Sequence, residues 1–349
     1  MRMRRALGAL ALCAALPAVP CTTFCVRGPD GLVFGRNYDY AFGDGMVLVN
    51  ARSVEKISVL ERNPARWTSK HGSVTFNQYG RDNPMGGVNE RGFVVELMEL
   101  QDTKYPAADS RPQVGLLEWI QYVLDNYATV EEALAGAKRV RIGTEAPVHF
   151  LLADRSGDVA VVEFLGGRMR VRRGDTLPTR VLANTTYDED VEYAAKNTPK
   201  AELPRGLEGS HERFARASRS VKAYEAKPEG SAVDRSFEIL DEVAQKGHTQ
   251  WQVVYDLKNA TIHYRTTANR DRRQIAFASF DYTCRTAGAM LDVDTGRGDV
   301  TKAFMPYAAE ANEIQMVRAF SKSPEMGMSA QAARAEAQRI ESTRHCVAG

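Results

Sequence analysis

From Cys21 to Tyr40 the chain reads CTTFCVRGPDGLVFGRNYDY, two β-segments closed by Gly28-Pro29-Asp30-Gly31, residue types that supply a tight turn. This is a hairpin, and its turn length sets its register. Cross-strand partners sum to about 59, which places Thr23 opposite Arg36 and Cys21 opposite Tyr38. Arg36 then shares a face with Cys21, and Asp39 lies beside Cys21 at the open end of the hairpin.

The same pattern recurs along the chain. SVTFNQYG and GFVVELMEL, then VHFLLAD, DVAVVEFL and RMRVRR, all read as strands, the last pair joined by Gly166-Gly167. In RMRVRR, Met169 and Val171 alternate with Arg168, Arg170 and Arg172, the signature of a strand with one wet face. TQWQVVYDL alternates through Trp251, Val253, Tyr255 and Leu257, and ATIHYRT answers it as a hairpin partner. Between the strands lie helical patterns: Leu117, Ile120, Leu124 and Tyr127 on one face, then a capping box from Thr129 to Glu132. Ser210 is read as the cap of a helix carrying Phe214, Ala217, Val221 and Tyr224, and Ser231 as the cap of one carrying Val233, Phe237, Leu240 and Ala244. Hairpins interleaved with helices predict an α+β fold with mainly antiparallel sheets covered by helices, rather than a doubly wound parallel sheet.

Residues 1–20 read differently: MRMRR is a basic start and ALGALALCAALPAV an apolar run too short to span a bilayer, together an export signal. Removing Arg2, Arg4 and Arg5 takes the formal charge from +2 to −1. No positive excess then remains for a nucleic acid or an anionic membrane. No linker or repeat divides residues 21–349, which are expected to form one domain, exported to the periplasm or beyond the cell. Whether copies of it associate stays open. In an oxidising compartment thiols without another use tend to pair, so Cys284 and Cys346 are expected to form a disulfide. Cys21 and Cys25 lie too close along one strand to bridge easily.

Cys21 would be the first residue after the leader, and this gives the hairpin its chemistry. It gathers a thiol, a free amine, a guanidinium from Arg36 and a carboxylate from Asp39. An α-amino group has a reference pKa of about 7.7–8.0 and so can take the thiol's proton without a histidine. Arg36 would favour the thiolate, and Asp39 could orient the amine. The six histidines show no paired metal spacing, so neither a metal nor a cofactor is expected.

These residues resemble the choloylglycine hydrolase family of N-terminal-nucleophile hydrolases, which includes bile salt hydrolases and penicillin V acylases. The resemblance rests on a cysteine after a leader; GRNYDY with Arg36 and Asp39; TFNQYGRDNPMGGVNERG with Asn89; VLANTTY with Asn184; and SHERFARA with Arg213. It implies a four-layer αββα sandwich with Cys21 at the end of a central strand. It also implies an oxyanion hole made by the Asn184 side-chain amide and the Asn89 backbone amide, with Arg213 helping to hold the site. The expected reaction is acyl transfer from a small N-acyl amide to the Cys21 sulfur, then hydrolysis of the thioester. One departure is Pro20, since signal peptidase prefers a small residue there; a cut after Ala18 would leave Val19-Pro20 to be removed afterwards.

Another reading is that Cys21 carries lipid, making the chain a lipidated, or else a soluble, periplasmic binding protein without catalysis. Its N-terminus separates the two: a free amine for the enzyme, a diacylglyceryl group for the anchor. Cys25, on the same strand face, reads as a small buried hydrophobe. Bile-acid conjugates, phenoxyacetyl penicillins, acyl-homoserine lactones and other N-acyl amines all suit the chemistry, and export to the periplasm favours small diffusible N-acyl amines over bile salts.

Overall fold

A computed structural model describes residues 21–29, 31–144, 146–204, 206–286 and 288–347. The leader assigned to residues 1–20 lies outside them.

The first hairpin pairs Thr22–Gly28 with Gly31–Asp39 in the expected register, Thr23 facing Arg36 and Gly28 facing Gly31. It sits inside a seven-stranded sheet, between the short strand Val181–Leu182 on one side and Thr249–Asp256 on the other. Beyond Thr249–Asp256 come Thr261–Thr266 and Arg273–Ala276, all antiparallel, and the short Gly298–Asp299, which runs parallel. A second sheet of nine strands is antiparallel throughout, with Val94–Glu99 and Gly86–Asn89 near its middle and Arg168–Arg173 at one edge.

The two sheets face each other. Phe76 of the nine-stranded sheet meets Trp251 and Tyr264 of the other at ring centroid distances of 6.2 and 5.4 Å. Helices Gly206–Ala226 and Ala232–Glu242 cover the outside of the seven-stranded sheet, and Leu116–Asn126 covers the other. The αββα order follows. With helices on one face and a sheet on the other, the central strands lose the alternation of a half-wet strand: every residue of Val94–Glu99 is buried. At the edge it survives, for Arg168 and Arg170 are exposed while Met169 and Val171 are half-buried.

Local chemistry sets most helix starts. Thr129 accepts from the Glu132 N–H, although Glu132 reaches back to the Ala128 N–H rather than to Thr129 itself. Ser231 caps Ala232–Glu242 as expected, but Ala244 lies past its end. The stripe of Leu116–Asn126 is also rotated from expectation, since Leu116, Trp119, Ile120, Val123 and Leu124 are buried while Leu117 is only half-buried. Ser210 is no cap at all. The helix begins earlier, at Gly206, and the Ser210 hydroxyl accepts the Asn184 N–H at 2.8 Å instead.

Past Thr266 the structure adds a region the sequence reading left blank: helices Ala309–Ser321 and Ala330–Ser342, then a two-residue strand His345–Cys346 paired to Val54–Ile57. Cys284 and Cys346 are disulfide-bonded, as elimination had suggested. Cys25 is a fully buried free thiol.

Candidate active site

Pleating sorts the hairpin residues into two sets. Arg36 points across to the second sheet, while Asn37 and Asp39 point to the helical layer, where their side chains meet Leu240 O and Gln245. Cys21 precedes the first strand; the residue is 4% exposed and its Sγ lies 3.8 Å from the Asp39 carbonyl oxygen. Burial pushes that thiol up to about 11, against the pull of Arg36, while the Asp39 charge adds to the rise.

Asp39 is held by neutral donors. Gln245 Nε2 donates to Oδ2 at 3.0 Å, and Thr249 lies opposite in the neighbouring strand, where a bulge between Thr249 and Trp251 shifts the register. Burial raises this carboxyl to about 6, and the nearby Thr249 hydroxyl and the charge of Arg213 only partly oppose the rise. Its other oxygen, Oδ1, is buried and has no hydrogen-bond partner among the described residues. Such an oxygen is an open acceptor for a cation or a donor.

Arg213 comes from the helix Gly206–Ala226. Its Nε donates to Thr22 Oγ1 at 3.1 Å and its Nη2 to Asn184 Oδ1 at 3.0 Å. Because a guanidinium only donates, it fixes which way the Asn184 amide faces. The Asn184 Nδ2 therefore points away from Arg213, giving one hydrogen to Glu99 O at 2.9 Å and keeping a second to give. Ser210 holds the same residue's backbone.

Arg36 is buried against Glu96, with Nη1 donating also to Met85 O at 2.6 Å and Nη2 to Leu97 O at 3.2 Å. Tyr255, from the strand beside that of Arg36, completes Glu96 across the two sheets, its hydroxyl donating at 2.6 Å. A Cβ on Gly86 would overlap the Glu96 carboxylate, so only glycine fits there.

Five of the six predicted residues thus converge: Cys21, Arg36, Asp39, Asn184 and Arg213. Asn89 does not. Its N–H and Oδ1 are tied to Phe93, and its Nδ2 donates to Leu124 O and Tyr127 O, closing a turn against a helix end. Phe93 immediately precedes the strand Val94–Glu99 and Glu99 ends it, six residues or roughly 20 Å apart. The Asn89 backbone amide is therefore spoken for, far from Asn184. The sequence reading missed Glu96, Gln245 and the Ser210 contact. Glu96 had a signal, an acid inside a run where both faces are apolar, since a buried charge requires a partner; Gln245 had none.

Residues 21–284 match the family described as linear amide C–N hydrolases, choloylglycine hydrolase family. The chain belongs to that family. Among relatives of the choloylglycine hydrolase family, a penicillin V acylase from Pectobacterium atrosepticum is 28% identical over 59% of this chain. The chain spans about 60% of that relative's length. The solved structure of a penicillin V acylase from Agrobacterium tumefaciens superposes with a TM-score of 0.71 at 27% identity, covering 82% of this chain and 98% of that one. A conjugated bile acid hydrolase from Clostridium perfringens, 18% identical with a TM-score of 0.64 over 80% of this chain and 98% of its own, shares the fold. The N-terminal-nucleophile sandwich expected from sequence is the fold observed.

Proposed function

We propose that the protein is an N-terminal-cysteine amidohydrolase that cleaves the linear amide bond of a small N-acyl compound. The observation that carries this reading is the meeting of the Cys21 thiol, Arg36, Asp39, Asn184 and Arg213 in one buried cluster. Removal of residues 1–20 on export frees the Cys21 amine, and the open Asp39 Oδ1 receives it. That amine takes the thiol proton, and the sulfur attacks the amide carbon. The second Asn184 Nδ2 hydrogen is given to the oxyanion as it forms. The proton passes to the departing amine, the C–N bond breaks, and a thioester remains. Water, deprotonated by the same α-amine, then releases the acid.

Phenoxyacetyl penicillins are the first substrates to test, since two relatives at 27–28% identity carry the name penicillin V acylase. Bile-acid conjugates and acyl-homoserine lactones belong in the same panel. A lipidated binding protein fits less well, because the Cys21 thiol lies inside the sandwich, where a diacylglyceryl group has no room. Among the described residues no helix is long and apolar enough to cross a membrane.

The test combines N-terminal sequencing of exported protein with an amine-release assay over that panel. We expect a free Cys21 at the start and release from at least one class. Cys21→Ala should lower turnover on the order of 10⁴-fold or more without loss of fold. An active enzyme that begins upstream of Cys21, or an active Cys21→Ala variant, would refute the mechanism.

A further inference from the structure

Arg36 shares the hairpin face of Cys21 and favours its thiolate, yet its charge does not act on the thiol alone. Three of its contacts, Glu96, Met85 O and Leu97 O, lie on the second sheet, and they hold the guanidinium by Nη1 and Nη2. Its Nε is buried without a hydrogen-bond acceptor among the described residues. The guanidinium thus divides its charge between a carboxylate behind it and a sulfur in front.

We propose that Glu96 is a positioning residue that sets how much positive charge Arg36 presents to Cys21. This goes beyond the amidohydrolase reading but rests on Cys21 being its nucleophile. The pair is enclosed: Tyr255 donates to Glu96 from the strand beside that of Arg36, and the Tyr38 ring centroid lies 5.0 Å from the Arg36 guanidinium. Cys21, Tyr255, Tyr38 and, more weakly, Asp39 are the other titratable groups coupled to Arg36. Burial raises Glu96 to about 7, with Arg36 opposing the rise. At the alkaline pH where the buried thiol titrates, Glu96 is therefore an anion. It offsets part of the Arg36 charge and leaves the thiol higher than an uncompensated guanidinium would.

This has a sign that a purely structural role does not share. If Glu96 only held Arg36 in place, Glu96→Gln would let the cation drift and the thiol would rise. If Glu96 offsets its charge, Glu96→Gln keeps the shape, exposes Cys21 to the full guanidinium and lowers the thiol.

The experiment is the pH dependence of iodoacetamide alkylation at Cys21, read by peptide mass, with the Cys25 peptide as internal control. We expect Glu96→Gln to move the midpoint down by about one pH unit, which is about tenfold faster alkylation at a fixed pH below it. Glu96→Met, which also removes the charge at similar side-chain length, should move it down likewise. A folded Glu96→Gln protein whose profile is unmoved or moved up overturns the proposal. If that variant does not fold, an unmoved or raised profile in a folded Glu96→Met protein does so. Alkylation reports the thiol whether or not any amide is turned over, so loss of the amidohydrolase reading would be seen separately, in the release assay.

Discussion

Two buried aspartates show how differently this protein treats the same side chain. Asp39, in the candidate site, is 1% exposed and faces the neutral donor Gln245, and burial lifts it to about 6. Asp82 is 7% exposed, and burial pushes it up as well, but Arg344 and Lys56 outweigh that and hold it well below the usual carboxylate range. Lys56 Nζ lies 2.9 Å from Asp82 and 2.7 Å from Asp125, while Arg344 pairs with Asp82 directly. Arg344 stands next to His345–Cys346, so this cluster, with the disulfide, fastens the end of the chain to the strand Val54–Ile57. One carboxylate is left with an oxygen open to a donor, the other surrounded by cations in order to hold. Chemistry and stability occupy separate places.

The contrast breaks most visibly at Asp39. Asp39→Asn should cut kcat by about 10²–10⁴-fold with KM nearly unchanged, because the base is misoriented while substrate contacts remain. Its stability at pH 7 should not fall, since the amide carries no charge to desolvate. Urea unfolding beside steady-state kinetics checks both, and a large loss of stability would remove the distinction from Asp82.

Asp82→Asn should do the reverse, costing about 3–5 kcal/mol by leaving Lys56 and Arg344 short of an anion, with kcat of the folded protein within about twofold. The pH sign follows from the lowered folded value. Asp82 contributes its full stability above the unfolded pKa of about 3.9 and loses it as pH falls through the folded value. Wild type should therefore lose more stability than the variant on acidification below about pH 4, measured by urea midpoints across pH.

The smallest effect sharpens the comparison at the site itself. Gln245→Ala removes a donor to the Asp39 carboxylate, and losing a bond to the charged form raises a carboxyl further. The acid limb of the kcat/KM profile should then move up by about 0.5–1 pH unit, with the alkaline limb in place. An unmoved acid limb would mean that Asp39 ionisation does not govern it.

Much of this was legible before any coordinates. Hairpin register follows from turn length, so Arg36 could be set beside Cys21 by counting, and pairing put it there. Helix caps at Thr129 and Ser231 are local events between neighbours in the chain and were read correctly. Ser210 was misread because a serine before an apolar stripe looks the same whether it bonds its own helix or a distant N–H. Asn89 failed for a related reason. A family motif marks a segment, not the atom in it that reaches the site, and the free N–H required there is already bonded to Phe93.

What the sequence by itself determined is the set of local relations: a hairpin with a thiol, a guanidinium and a carboxylate in register, alternating strands, and capped helices. These rest on interactions a few residues apart, whose geometry the backbone dictates. Tertiary structure alone decided the partners of those groups: that Glu96 stands behind Arg36, 60 residues away in the chain, that Gln245 steadies Asp39 across 206, and that Arg213 orients Asn184. Whether a buried charge is pushed toward neutrality or held ionised depends on which charges lie within a few ångströms, and only the packing of two sheets and their helices sets those distances.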